Sequence, residues 1–223
     1  MRQLSNPTVD ALRRGLFLAC LLPFARLLAG WLTDDLAPDP VEDITHTTGL
    51  WSLRLLLLML VVSPLKRHTG WNWLMRLRRT LALYAFFYAV LHVLAYLVFE
   101  QYFDGPEILK DATRRPYVMA GWVAFLCMVP LAVTSTNAMM KRLGGRNWKR
   151  LHQLTYLIAV AAVLHYFWLV KQDTTAPAGY AVALAVLLCL RLAAAPRPST
   201  APPRKAGAAL APHALRNNRS PHA

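Results

Sequence analysis

The sequence predicts an all-α fold, a six-span transmembrane helix bundle with both termini cytoplasmic. Three observations carry this expectation. Six apolar runs approach the length of about 20 residues that a membrane helix needs. Only 16% of the 223 residues are charged while 56% are apolar, whereas a soluble domain carries about 25% charged residues. The segments between the runs alternate in charge without a break.

The first run, Gly15–Leu32, is interrupted by Pro23 and Arg26. It has the position of a signal peptide. No convincing small-x-small cleavage site follows it, and five more runs do, so it reads as retained. The next runs are Gly49–Pro64, Leu77–Phe99, Tyr117–Val133, Leu151–Val170 and Ala178–Leu192. The second and sixth are short and are expected to extend at their ends. Residues 1–14 form a cytoplasmic N-terminal segment, 15–192 the membrane domain and 193–223 a basic tail. From Pro196 the tail is rich in Pro, Ala and Arg without apolar periodicity, so it is expected to be disordered. No internal repeat, P-loop, GxGxxG or HExxH is found.

Charge fixes the orientation. Asp34, Asp35, Asp39, Glu42 and Asp43 follow the first run. Glu100, Asp104, Glu107 and Asp111 follow the third, and Asp173 the fifth. Basic residues crowd the other loops: Lys66, Arg67, Arg76, Arg78 and Arg79 after the second run, and Lys141, Arg142, Arg146, Lys149 and Arg150 after the fourth. Positive loops stay inside, so the acidic loops face outward. The net charge of +14 then belongs to the cytoplasmic loops and not to a nucleic-acid surface. The three cysteines all lie within apolar runs, which excludes a disulfide scaffold.

Ionisable side chains within a span are costly and mark function. His92 lies eight residues before Glu100, roughly 12 Å below the outer surface, and His165 six residues before Lys171, roughly 9 Å below it. Both spans run from inside to outside, so the two imidazoles share one level. Two neutral imidazoles on facing helices are what the axial positions of a b-type haem iron require. Otherwise each hydrogen-bonds within the bundle. Arg26 and Arg54 lie at the depth of His165, where they would pair haem propionates or snorkel to the headgroups. His152 precedes His165 by thirteen residues, roughly 20 Å. It reads as a further ligand, an inner redox site or a helix cap. Arg78, Arg79 and Trp148 form a rim suited to a flavin or quinone, or interface anchors. His46, His68, His213 and His222 carry no expected role.

These residues resemble the ferric-reductase-like transmembrane domain. The matching stretches are LRRTLALYAFFYAVLHVLAYL with His92, PLAVTSTNAMMKRLGGRNWKRLHQLTYL with His152, LHYFW with His165, and GLWSLRLLLLMLVVSPL at the second run. Within that family the likeness, over roughly residues 10–192, is to the haem-binding membrane subunits of bacterial periplasmic methionine sulfoxide reductase systems. The resemblance implies haem b and FMN as cofactors. It implies a quinone or a cytosolic flavin reductase as electron donor, and a periplasmic MsrP-type molybdoenzyme as acceptor, in the bacterial inner membrane. On this reading the chain is an electron-transfer subunit of an oxidoreductase rather than its catalytic subunit. Larger family members hold two haems between two His pairs, and here Arg78 and Arg79 stand where the fourth His would be. The competing readings are a stand-alone ferric or quinone reductase and a proton-coupled transporter. Ten outer acids against four outer bases (Lys110, Arg114, Arg115, Lys171) point to electrostatic docking of a basic partner.

Overall fold

The computed structural model describes residues 6–193; the tail from residue 194 onward lies outside the described residues. Among the described residues the elements are nine α-helices and one π-helical turn, without strands. They are α1 (Asn6–Thr33), α2 (Pro40–Thr69), α3 (Leu74–Ala95) with the π-turn Tyr96–Glu100, α4 (Gly105–Arg114), α5 (Pro116–Val133), α6 (Asn137–Leu143), α7 (Gly145–Leu151), α8 (Leu154–Leu169) and α9 (Thr175–Ala193). Six helical segments are long and apolar enough to cross a membrane: Pro7–Thr33, Pro40–Thr69, Leu74–Glu100, Pro116–Val133, Gly145–Leu169 and Thr175–Ala193. Large apolar side chains such as Leu18, Leu22, Leu32, Val182 and Leu192 point away from the bundle. That is the outer surface expected where the surroundings are hydrocarbon.

The helix ends follow from local chemistry. Asp39 accepts from the Val41 and Glu42 amides and Pro40 opens the first turn, so α2 begins nine residues before the apolar run does. The stretch read as a five-acid outer loop is therefore split: Asp39 is the cap, and Glu42 and Asp43 sit in the first turn of α2, where the helix dipole favours them. Lys66 and Arg67 occupy its last turn, and Gly70, at φ 72°, closes it with an N–H to the Lys66 carbonyl. Asp104 caps α4, and Pro116 opens α5.

Helix α1 begins at Asn6, so helix extends into the segment placed outside the first span. At Pro23 its ladder is disturbed. The Phe24 N–H donates to the Tyr88 hydroxyl at 3.0 Å, and that hydroxyl donates to the Cys20 carbonyl at 2.8 Å. A tyrosine on α3 thus inserts into the hydrogen bond that would join Phe24 to Cys20, a recognised cause of helix bending. It also docks α1 on α3. Tyr88 is fully buried, as are Leu60 of α2 and Ile158 of α8.

The core is built from two helical pairs, α2 with α3 and α5 with α8. Leu56, Leu60, Ala85, Ala124, Ala159 and Val163, drawn from all four helices, belong to one buried core. One further expectation changes. The apolar run Leu151–Val170 suggests one continuous helix; the structure instead breaks the span between α7 and α8, and His152 lies in the break.

Candidate functional site

Between the two pairs lies a cavity of about 720 Å³, within the range of cofactor pockets. It opens at the end of the bundle that carries α4, and His92 and His165 both line it. Their ring centroids are 6.0 Å apart. Two imidazoles bound to opposite sides of one iron at about 2 Å each have centroids about 6 Å apart.

Each ring is held by the same device. His92 Nδ1 lies 2.9 Å from the Thr45 carbonyl on α2, and His165 Nδ1 lies 2.6 Å from the Tyr117 carbonyl on α5. A carbonyl oxygen can only accept, so each Nδ1 carries the proton. Each Nε2 is then left with its lone pair, as metal ligation needs. Four residues after each carbonyl stands a glycine. A Cβ on Gly49 would come within 3.1 Å of the His92 ring, and one on Gly121 within 2.9 Å of His165 Nδ1. The glycines open the notch in which each ring lies. In a helix the side chain of residue i partly covers the carbonyl of residue i−4, and removing it leaves that carbonyl open to a second donor.

No group of three or more His, Cys, Asp or Glu is gathered around a metal position among the described residues. An iron at this pair would have to bring its equatorial ligands with it, as haem does. The inner walls suit a porphyrin face: Leu53, Leu56, Ala89, Ala124, Phe125 and Met128 line them.

The mouth is polar. Tyr96 donates to Asp111 at 2.9 Å, and Asp111 pairs with Arg115 at 2.8 Å. Arg115 also donates to the Tyr117 hydroxyl at 3.1 Å. This hydrogen bond, with the nearby Asp111 charge, holds the Arg115 guanidinium above its ordinary value. Asp111, counted among the outer surface acids, is in fact buried. Among the described residues Arg115 is the sole Lys or Arg lining the cavity. Neither Arg26 nor Arg54 lines it. Arg26 is exposed on α1. Arg54 donates through Nε to Tyr180 at 2.9 Å and lies over the Trp51 ring. His46 lines the mouth beside Tyr166, a position its loop-like sequence context did not suggest.

The opposite end is organised differently. Trp148 and His152 stack at 4.0 Å, and both reach Thr134: Trp148 Nε1 donates to its carbonyl at 2.9 Å and His152 Nε2 lies 3.3 Å from its hydroxyl. Arg79 is exposed and donates to Asn137, whereas Arg78 turns inward and donates to the Met59 sulfur. Structure thus groups Arg78, Trp148 and His152 and leaves Arg79 at the periphery. Sequence reasoning missed Gly49, Gly121, Arg115 and Arg191. The signal for the glycines was there, since a glycine inside an apolar helical run costs stability and wants a reason. Arg191 is a charge inside a span and fell under the rule applied to Arg54.

The model of the family described as the ferric reductase like transmembrane component matches residues 48–163, which include His92 and His152 and stop two residues short of His165. A relative from Herminiimonas arsenicoxydans, named protein-methionine-sulfoxide reductase heme-binding subunit MsrQ, is 47% identical over 190 residues, covering 84% of this chain and 87% of its own. Relatives of the same name from Ralstonia nicotianae and Xanthomonas campestris are 46% identical over 187 residues and 47% over 193. Each alignment covers 83% of this chain, with 86% and 87% of the relative.

Proposed function

Since the chain belongs to the ferric-reductase-like transmembrane family and, within it, to the MsrQ haem-binding subunits of methionine sulfoxide reductase systems, we propose that it is a haem b electron-transfer subunit. It is a multi-pass bacterial membrane protein. On this reading it sits in the inner membrane with both termini cytoplasmic. It takes electrons from the quinone pool or a cytosolic flavin reductase and hands them to a periplasmic molybdopterin reductase of the MsrP type.

The observation that carries the reading is the facing pair His92 and His165, each with Nδ1 fixed on a backbone carbonyl and Nε2 open to the cavity. Haem b held there supplies a one-electron carrier. The chain's own residues do the rest. The Thr45 and Tyr117 carbonyls set tautomer and ring direction before any ligand arrives, so little reorganisation is needed on loading. The apolar walls keep water from the porphyrin faces, and the glycine notches keep both rings at the required spacing. Arg115 has five N–H groups, of which Asp111 and Tyr117 occupy two. The remaining N–H groups suit a propionate at the mouth, a role the sequence had assigned to Arg26 or Arg54. At the far end Arg78, Trp148 and His152 form the receiving rim for FMN or a quinone, with Arg79 at its periphery, about 20 Å from the haem level.

Absorption spectroscopy and a pyridine haemochrome assay on purified protein test this reading. A low-spin haem b spectrum that vanishes in His92→Ala and in His165→Ala is expected. Full haem content in both variants would end it. A stand-alone ferric or quinone reductase remains the second reading, because the mouth opens the same cavity to any acceptor. Turnover with ferric citrate or quinone alone, undiminished without the periplasmic reductase, would favour that one.

A further inference from the structure

Arg78 and Arg191 are two cations whose side-chain hydrogen-bond partners are all neutral. Arg191 of α9 donates to the Tyr156 hydroxyl on α8 and to Ser63 on α2, and its guanidinium lies over the Tyr156 ring. Arg78 of α3 donates to the Met59 sulfur on α2. Met59 and Ser63 are one turn apart on the same face of α2, about 6 Å, which brings the two guanidinia into electrostatic reach of each other.

Snorkelling does not explain this arrangement. Arg78 lies four residues from the start of α3, about 6 Å, whereas Met59 lies ten residues from the end of α2, about 15 Å. A single turn joins those two ends, so the Arg78 side chain reaches toward the bundle centre. Nor does any acid answer the charges. Ten of the eleven acids lie at the α4 end, and Asp10 lines a separate cleft with Arg13 and Arg14. A thioether is a weak acceptor and a hydroxyl carries no charge. Two partly buried like charges without a counterion are costly.

We propose that Arg78 and Arg191 bind one phosphomonoester group, with Ser63 and Tyr156 as supporting donors. A phosphomonoester carries about −1.5 to −2 at neutral pH, which balances two guanidinia in a single group, and their planar forks suit its oxygens. The group comes from a flavin mononucleotide or from phosphatidic acid, and inorganic phosphate shares its charge and oxygens and serves as a probe of the site. The inference shares Arg78 with the inner rim described above and does not rest on haem.

The test uses the full chain in detergent and in phosphatidylcholine nanodiscs with and without phosphatidic acid. Melting temperature is followed on addition of flavin mononucleotide, riboflavin or inorganic phosphate. At least one of flavin mononucleotide, phosphatidic acid and inorganic phosphate should stabilise the protein where the control without a terminal phosphate, riboflavin or pure phosphatidylcholine, does not, and the responding probe identifies the source. Arg191→Gln should weaken that response at least tenfold, and Arg191→Lys less. Riboflavin matching flavin mononucleotide, with no response to phosphatidic acid or phosphate, would overturn the proposal without any variant. So would Arg191→Gln protein that binds as tightly as the parent. Soret absorbance per polypeptide is read in parallel. Loss of haem from Arg191→Gln with unchanged phosphate response would assign the pair to haem carboxylates and overturn the proposal. A parent protein with no Soret band counts against the haem reading alone.

Discussion

His165 and His152 belong to one candidate span, and the two ends of that span treat a histidine in opposite ways. At the α4 end His165 gives its Nδ1 proton to a backbone carbonyl, faces His92 and lines a cavity. At the other end His152 stands in a helix break, stacks on Trp148 and has its Nε2 against the Thr134 hydroxyl. The nitrogen that His165 leaves open is the one that His152 has engaged. The α4 end holds two imidazoles with Nδ1 on backbone carbonyls, the arrangement that the proposed haem ligation needs. The other end is arranged around stacking and positive charge, which suits an anionic or aromatic ligand. A histidine in a span is therefore not a ligand by virtue of its depth; what its second nitrogen touches decides.

The largest expected effect breaks this comparison at its centre. His92→Ala or His165→Ala should remove the low-spin haem spectrum completely, whereas His152→Ala should leave its axial signature in place. Electron paramagnetic resonance of the oxidised protein checks both. If His152→Ala also abolished the signal, the two ends would not be separate sites.

Next come the glycine notches. Gly121→Ala and Gly49→Ala put a Cβ against each ring at 2.9 and 3.1 Å. Neither ring can swing aside without losing its hydrogen bond to the Thr45 or Tyr117 carbonyl, and overpacking of this kind costs about 1–3 kcal/mol. Both variants should lose haem on dilution, Gly121→Ala the more. Gly179→Ala, where nothing lies within 4 Å, should retain it. Equal haem retention in all three would mean that the notches do not set the ring positions.

A smaller effect is expected from Tyr88→Phe. Removing the hydroxyl leaves the Phe24 N–H and the Cys20 carbonyl to each other across the Pro23 bend. A lost buried hydrogen bond costs about 1 kcal/mol. A lower melting temperature with an unchanged haem spectrum is expected, because the change loosens α1 and leaves both histidines in place.

The smallest effect concerns docking. Asp39 caps α2 and Asp111 is buried on Arg115, so neither serves as a free steering charge. Neutralising Asp34, Asp35 and Glu42 should slow transfer to the periplasmic reductase severalfold at low salt and hardly at all at high salt, since exposed charges are screened over about 10 Å at 0.1 M. A rate indifferent to both changes, measured by stopped flow, would place docking on apolar contacts instead.

The sequence by itself determined the six spans, their helical state and the common level of His92 and His165. These follow from hydrophobicity, charge placement and the rise per residue, all of which are properties of the chain taken one helix at a time. It could not determine which nitrogen each histidine exposes, because that depends on the carbonyls of Thr45 and Tyr117, on helices 47 and 48 residues away. For the same reason Arg54 could match the haem level in depth and still turn toward Tyr180, while Arg115, outside every span, came to line the cavity. Depth is set by position along a helix. Direction is set by the neighbour that the helix packs against, and only the tertiary structure supplies that neighbour.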